Sequence, residues 1–270
     1  MYPLSYVRPA SLQEALDWLA REPEARPLAG GMTLIPTLKQ RLAAPSHLVD
    51  LSRLQELRGV SADNGLLRVG AATRHAEVAA SAVVRGAIPG LASLAEVIAD
   101  PQVRNRGTMG GSVANNDPAA DYPAAVLGLG ATVLTDRRRI AADEFFAGMF
   151  ETALEPGEVI VGFEFPIPRR SAYAKYRHKA TGYAVAGVFI AETAAGPRVA
   201  VTGAGPCVFR WQEAEQALAA GGIAAVEEAG LDESTLNEDR AGGAAYRANL
   251  VRVLTRRAWA ALQGPGGAAE

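Results

Sequence analysis

The chain has 270 residues, 49% hydrophobic and 21% charged, with 27 cations against 29 anions for a net charge of -2. That much apolar material excludes a disordered chain, and the charge balance excludes a field that would draw it to nucleic acid or acidic lipid. No stretch reaches the ~18 uncharged apolar residues of a membrane span, and the first nine residues lack a signal peptide's apolar core, so the expected address is the cytoplasm.

Ser11-Leu-Gln-Glu14 is a capping box, and Leu12, Ala15, Leu16 and Leu19 recur at helical spacing, which predicts a helix over 12–21. A short strand over 26–28 runs into Ala29-Gly30-Gly31, and Thr33 then opens a short helix to Leu42, with Pro36 tolerated near its first turn. The pattern next predicts a strand over 47–51, then a hairpin of 57–61 with 66–71 around Asp63-Asn64-Gly65. Residues 73–99 read as mostly helical, interrupted near Pro89-Gly90. The stretch 100–116 holds Gly107, Gly110 and Gly111 with few large apolar side chains, and reads as a loop too long for mere connection.

Asp117-Pro118 predicts an N-cap with Pro at N1, opening a helix over 119–129. Gly128-Leu-Gly130 then reads as a helix C-cap, because the third position of a Rossmann fingerprint would fall on Val133. Strands follow over 131–135 and 159–165. Pro166-Ile-Pro168-Arg-Arg170 marks a boundary. Beyond it, strands over 172–177, 183–192 and 198–202 precede helices near 211–220 and 244–262, segregated as in an α+β domain, and Gly264 opens a frayed tail.

Cys207 is the only cysteine, which excludes intrachain disulfides and an iron-sulfur cluster on this chain. His47, His75 and His178 have no i, i+4 partner, so a zinc site lacks ligands, and no lysine stands where a phosphate-loop ATPase needs one. Only Lys39, Lys175 and Lys179 among the cations are lysines. If electrons move here, an organic cofactor must carry them.

The glycine segments 29–33 and 107–117 hold the remaining chemistry. Each alone reads as a tight turn. Together, with Thr33, Thr108, Ser112, Asn115, Asn116 and Asp117 beside them, they read as paired nests whose backbone N–H groups hold an anion such as a pyrophosphate. Four amides bonded to a charged group, at ~1.5–3 kcal/mol each, give ~6–12 kcal/mol before desolvation and ordering, against the ~8 kcal/mol of a micromolar complex. Stacking or ring burial must therefore contribute. Arg104 and Arg106 read either as cations facing phosphate or as solvated surface arginines.

Ala29-Gly-Gly-Met-Thr-Leu-Ile-Pro36 with Leu38-Lys-Gln-Arg-Leu42, then Arg104-Asn-Arg-Gly-Thr-Met-Gly-Gly-Ser-Val-Ala-Asn-Asn-Asp-Pro118 through Asp121-Tyr-Pro123, resemble the FAD-binding medium subunits of the molybdenum hydroxylases, the family of the carbon monoxide dehydrogenase medium subunit and the xanthine dehydrogenase FAD-binding subunit. The likeness extends to Phe146-Ala-Gly-Met-Phe150, to the strand near 158–166 and to the last helix.

The resemblance implies an α+β fold. A two-subdomain FAD-binding domain of the vanillyl-alcohol-oxidase (PCMH) type would occupy 1–168, with subdomains of about 1–55 and 56–168, and a small α+β C-terminal domain 169–265. It implies noncovalent FAD, bound by Ala29, Gly30, Gly31, Met32 and Thr33 and by Thr108, Met109, Gly110, Gly111 and Ser112, largely through backbone amides. Leu34, Asn115 and Asp117 complete the two motifs. Asp121 would hydrogen-bond the cofactor, Ile160 would touch it through its main chain, Lys179 would lie near the flavin, and Tyr183 would stand by the isoalloxazine ring.

Two positions depart from the family: Gly182, where many relatives carry Asp, and Met32, where Gln or His is frequent. The implied activity is that of an FAD-dependent oxidoreductase subunit in a cytoplasmic heterotrimer, doubled to a dimer of heterotrimers. It would relay electrons from [2Fe-2S] clusters on a small partner subunit to an external acceptor, while a large partner subunit carries the molybdenum cofactor. No catalytic acid or base is nominated and no metal ligand is expected. The alternatives are a free-standing flavin oxidoreductase of the same fold and a non-catalytic nucleotide-binding module.

Overall fold

The structure, a computed structural model, describes residues 1–263, and the tail from Gly264 lies outside them. The chain opens with β1 (Ser5–Val7), α1 (Leu12–Arg21), β2 (Arg26–Leu28), α2 (Leu34–Lys39) and β3 (His47–Asp50). The strands form a parallel sheet in the order β1-β3-β2. Ser11 Oγ accepts the Glu14 N–H at 3.2 Å and starts α1, whose Ala15 and Leu19 pack with Val49 and Leu51 in a first core. β1 was not legible, because three exposed or half-buried residues carry no alternation.

The middle of the chain runs through β4 (Val60–Asp63), β5 (Leu66–Gly70), α3 (His75–Ala80), α4 (Ala82–Ala87), α5 (Pro89–Glu96), α6 (Pro101–Arg104), α7 (Met109–Asn115) and α8 (Tyr122–Gly128). It continues through β6 (Thr132–Thr135), β7 (Arg139–Ala141), α9 (Ala142–Phe145), β8 (Phe146–Gly148), β9 (Glu151–Thr152) and β10 (Ile160–Pro166). An antiparallel sheet in the order β4-β5-β10-β6-β7 results, with Phe163 of β10 opposite Val69 on one side and Val133 on the other. Leu67, Val69, Val133, Phe163 and Phe165 face Leu91, Leu94 and Val126 of the helices in a second core.

Three expectations change here. The stretch read as one interrupted helix over 73–99 is three short helices, since Ser81 caps α4 by accepting the Val84 N–H at 3.3 Å and Pro89 opens α5. The stretch read as a loop over 100–116 contains α6 and α7, each started by a side-chain cap: Asp100 Oδ1 accepts the Val103 N–H at 2.8 Å, and Thr108 Oγ1 the Gly111 N–H at 3.1 Å. The helix expected from 119 starts at Tyr122 instead. Asp117 ties the Ala119 N–H at 2.9 Å in a turn, and Thr202 Oγ1 donates to the Pro118 and Ala120 carbonyls, holding the segment out of helical geometry.

The last part carries β11 (Arg170–Arg177), β12 (Ala184–Thr193), β13 (Gly196–Thr202), β14 (Phe209–Arg210), α10 (Gln212–Gly221) and α11 (Ala244–Gln263). The strands form an antiparallel sheet in that order. β12 is buried along most of its length and divides its residues by parity: Val188 and Ile190 join a third core with Trp211, Leu218 and Leu254, while Phe189 and Ala191 enter the second core. One face of this sheet is thus covered by α10 and α11 and the other by the middle layer. The chain mixes α and β elements throughout, and its middle and last parts share a core.

Candidate functional site

A cavity of about 680 Å³ lies where these parts meet, inside the range of about 300–1,000 Å³ typical of ligand sites. The two glycine segments, far apart in sequence, adjoin along its wall. A Cβ on Gly30 would fall 2.2 Å from the Arg106 carbonyl oxygen and 2.6 Å from Gly107 Cα, and one on Gly111 would stand 3.5 Å from Ala29 Cβ. Only glycine permits the first approach.

From the first segment Ala29, Gly30, Gly31, Met32, Thr33 and Leu34 all line the cavity. Gly31 takes φ +73°, turning the chain between β2 and α2. The N–H groups of Gly30 through Leu34 donate to no backbone carbonyl among the described residues, so this strand-to-helix turn presents a run of free donors.

The second segment is different, and the expectation of a second amide nest is corrected. Met109 N–H donates to the Thr73 carbonyl at 3.1 Å, Gly110 N–H to Ala71 at 2.9 Å, Ser112 N–H to Thr108 at 3.1 Å and Gly111 N–H to the Thr108 hydroxyl. Its glycines serve close packing: a Cβ on Gly110 would meet the Ala71 carbonyl oxygen at 2.8 Å. Thr108, Gly110, Gly111, Ser112, Asn115 and Asp117 line the cavity, whereas Met109 is fully buried in the second core.

Asp121 and Ile160 also line it, and Tyr183 enters from the turn between β11 and β12. Both Asp121 carboxylate oxygens are engaged, one by the Tyr173 hydroxyl at 2.6 Å and the other by Lys175 Nζ at 2.9 Å. Lys179 stands exposed on the same turn as Tyr183, outside the lining. Arg104 is outside it too, donating to the Ile98 and Ala99 carbonyls at 2.8 and 3.1 Å. Gly182 has φ +76°, and a Cβ there would lie 3.2 Å from Ala99 Cα, which gives the departure from Asp a backbone reason.

Several residues at the site were not singled out from sequence. Lys175, outside the lining but bonded to Asp121, is one, since β11 places Tyr173 and Lys175 two residues apart on one face and aims both at Asp121. Strand alternation was the available signal, but nothing local names the acceptor. His75 is another: its ring lies at 5.2 Å from that of Tyr122, its Nδ1 and the Tyr122 hydroxyl have no partner among the described residues, and burial, aided by the Arg104 charge, pushes its pKa down to about 4. It is a neutral wall.

The acids on the wall are muted. Burial raises the Asp121 carboxyl against the pull of Lys175 and also raises Asp117. Glu158 is held at about 2 by the Arg138 guanidinium, whose Nη2 is 2.9 Å away, with the Glu155 N–H and the Thr135 hydroxyl as further donors. Burial and the Asp117 charge raise the Tyr183 phenol, opposed by the Thr33 hydroxyl, which places this ring next to the first glycine segment. An elongated ligand with an anionic middle and apolar ends fits such a lining.

Comparison with known proteins gives a consistent set. The model for the FAD binding domain in molybdopterin dehydrogenase matches residues 2–168. The glyceraldehyde dehydrogenase medium chain of Sulfolobus acidocaldarius is 35% identical over 96% of this chain and 99% of its own. The carbon monoxide dehydrogenase medium chain of Hydrogenophaga pseudoflava is 34% identical over 94% of each. Among solved structures, quinoline 2-oxidoreductase from Pseudomonas putida 86 superposes with a TM-score of 0.89 at 32% identity, covering 97% of this chain and 98% of the other.

Proposed function

The chain belongs to the family of FAD-binding domains in molybdopterin dehydrogenases, and from that premise we propose how it works. It is the FAD-binding medium subunit of a molybdenum-containing hydroxylase, an FAD-dependent oxidoreductase subunit whose large and small partner subunits carry the molybdenum cofactor and the [2Fe-2S] clusters. The single cysteine accords with clusters housed elsewhere. We further propose a dimer of heterotrimers working in the cytoplasm. No helix among the described residues is long and apolar enough to cross a membrane.

The observation that carries the site assignment is the run of unbonded amides from Gly30 to Leu34 on a cavity of dinucleotide size. In this reading they hold the FAD pyrophosphate together with the Thr33 hydroxyl, and Thr108, Gly110, Gly111 and Ser112 form the adjoining wall. Asn115, Asp117 and the main chain of Ile160 complete the pocket. Asp121, fixed by Lys175, sets the floor, Tyr183 flanks the flavin, and Lys179 sits on the turn at the mouth. Met109 acts from the core beneath. When bound, FAD supplies a centre that takes electrons singly from a cluster and passes two to an acceptor. The chain's own work is to bind, orient and shield it.

Residues 1–168 then form the PCMH-type domain, with subdomains of about 1–55 and 56–168 resting on the first and second cores, and 169–265 form the C-terminal domain on the third. The test is purification of the full chain and of its complex from the native host. A flavin spectrum bleached by dithionite, with co-recovery of a large molybdenum chain and a cysteine-rich small chain, is expected. Recovery of a lone active protein refutes the subunit assignment, and a chain that takes up no flavin refutes the cofactor.

A further inference from the structure

Five non-glycine residues among those described have positive φ, and two of them, Ala99 at 42° and Phe150 at 57°, lie on the cavity wall. For a bulky residue this conformation is an outlier, because Cβ is forced toward the following carbonyl oxygen and a phenyl group makes no local hydrogen bond in return. A glycine, Gly148, ends β8 just before the β8–β9 turn, yet the left-handed position falls on Phe150 instead.

Asn116 holds it there. Its carbonyl accepts the Phe150 N–H at 3.2 Å, and its Nδ2 donates to the Gly148 and Glu151 carbonyls, both at 2.8 Å, clamping the hairpin on either side of the strained residue. Asn116 is itself left-handed, at φ 42°, and fully buried. Packing within the chain does not explain the arrangement, for Phe150 is left 57% exposed. Strain of this kind persists at ligand sites, where a bound partner uses the group it displays.

We propose that Phe150 is a stacking platform for one aromatic ring of the bound FAD, a contact that neither glycine segment supplies. The inference rests on the FAD reading above. Adenine and isoalloxazine share the chemistry required, a flat π face, and Phe150 and Tyr183 are the two benzenoid side chains that line the cavity among the described residues. The platform provides the ring burial that amide donors alone leave wanting.

The test titrates the apo full chain with FAD, using wild type, Phe150→Ala, Phe150→Gly and Phe150→Trp. Removal of the ring is expected to weaken FAD by about tenfold or more in both small variants, as for other base-aromatic stacks, and Trp is expected to restore binding. Without FAD, Phe150→Gly should unfold at a higher temperature than Phe150→Ala, since only glycine relieves the backbone. In Phe150→Trp, quenched flavin emission identifies isoalloxazine as the stacked ring, and quenched tryptophan emission with flavin emission unchanged identifies adenine. Wild-type affinity in Phe150→Ala overturns the proposal while leaving the FAD reading intact, and weakened binding that Trp does not restore overturns it in favour of a folding role. A wild-type chain that binds no FAD overturns both.

Discussion

In residues 29–34 a run of amides is left without carbonyl partners, while in residues 107–112 the amides of Met109, Gly110, Gly111 and Ser112 all donate within the chain. Both segments are rich in glycine and hydroxyls, both line the same cavity, and the backbone of one rests on the other. Glycine thus serves two purposes at one site. It frees donors in the first segment, and in the second it lets backbones approach closely enough to satisfy donors. A glycine count does not separate these roles; the destination of each N–H does.

The contact between the segments gives the largest expected effect. At Gly30→Ala the new Cβ would stand 2.2 Å from the Arg106 carbonyl oxygen, and backbone cannot yield as a side-chain tip does. Urea unfolding should register a loss of about 3 kcal/mol, the top of the usual range for overpacking. A loss below about 1 kcal/mol would mean that the two segments do not touch.

Next in size is an acid effect under the second segment. The His75 N–H donates to the Gly107 carbonyl at 3.0 Å, and the ring, with its pKa pushed down to about 4, lines the cavity. The unfolded chain binds this proton first, near the ordinary value of about 6.5. His75 therefore costs no stability above that pH, and stability falls as pH drops from about 6.5 to about 4, by about 3 kcal/mol in total. Unfolding of wild type and His75→Phe at pH 7 and pH 4.5 isolates this contribution from the carboxylates common to both. Equal slopes would remove His75 from the buried wall.

Sequence made much of this architecture legible, and where it did not the reasons are physical. Helix α1 and the hairpin of β4 and β5 carry their own local signals, a cap and periodicity in one, Asn64 and Gly65 at positive φ in the other. The helices α6 and α7 were hidden because α6 is a single turn of four residues and the glycines of α7 count against helix on propensity, while their caps, Asp100 and Thr108, act through one hydrogen bond each. The start of α8 was misplaced because Asp117 and Pro118 give a valid local signal that Thr202, far along the chain, overrides. At the site, residue identity pointed to both glycine segments, but the bonding of their amides is a tertiary property. Phe150 stood in a segment the resemblance covered and Lys175 among the three lysines, but their roles were hidden for the same reason, since one is defined by a backbone conformation that Asn116 imposes and the other by a partner on another element.

Amide hydrogen exchange tests the contrast directly. Adding FAD to the apo chain should slow exchange at Gly30, Gly31, Met32 and Thr33 by about tenfold or more, because free donors acquire an acceptor. Gly110, already bonded to the Ala71 carbonyl at 2.9 Å, should change far less. Equal slowing in both segments would restore the symmetrical pair of nests that the ligand-free geometry disfavours.

The smallest effect is the most discriminating. Thr108 Oγ1 accepts the Gly111 N–H at 3.1 Å as the N-cap of α7, so Thr108→Val should cost about 1 kcal/mol of stability and Thr108→Ser should recover it. Met109 and Gly110 keep their bonds to Thr73 and Ala71 in either variant, which fixes the start of α7 even without its cap. A second segment that is scaffold should therefore leave FAD affinity within about threefold of wild type in Thr108→Val, a difference under 1 kcal/mol. If affinity instead falls tenfold in the valine variant and returns in the serine one, the hydroxyl grips the cofactor itself, and the division between a donating segment and a supporting one gives way.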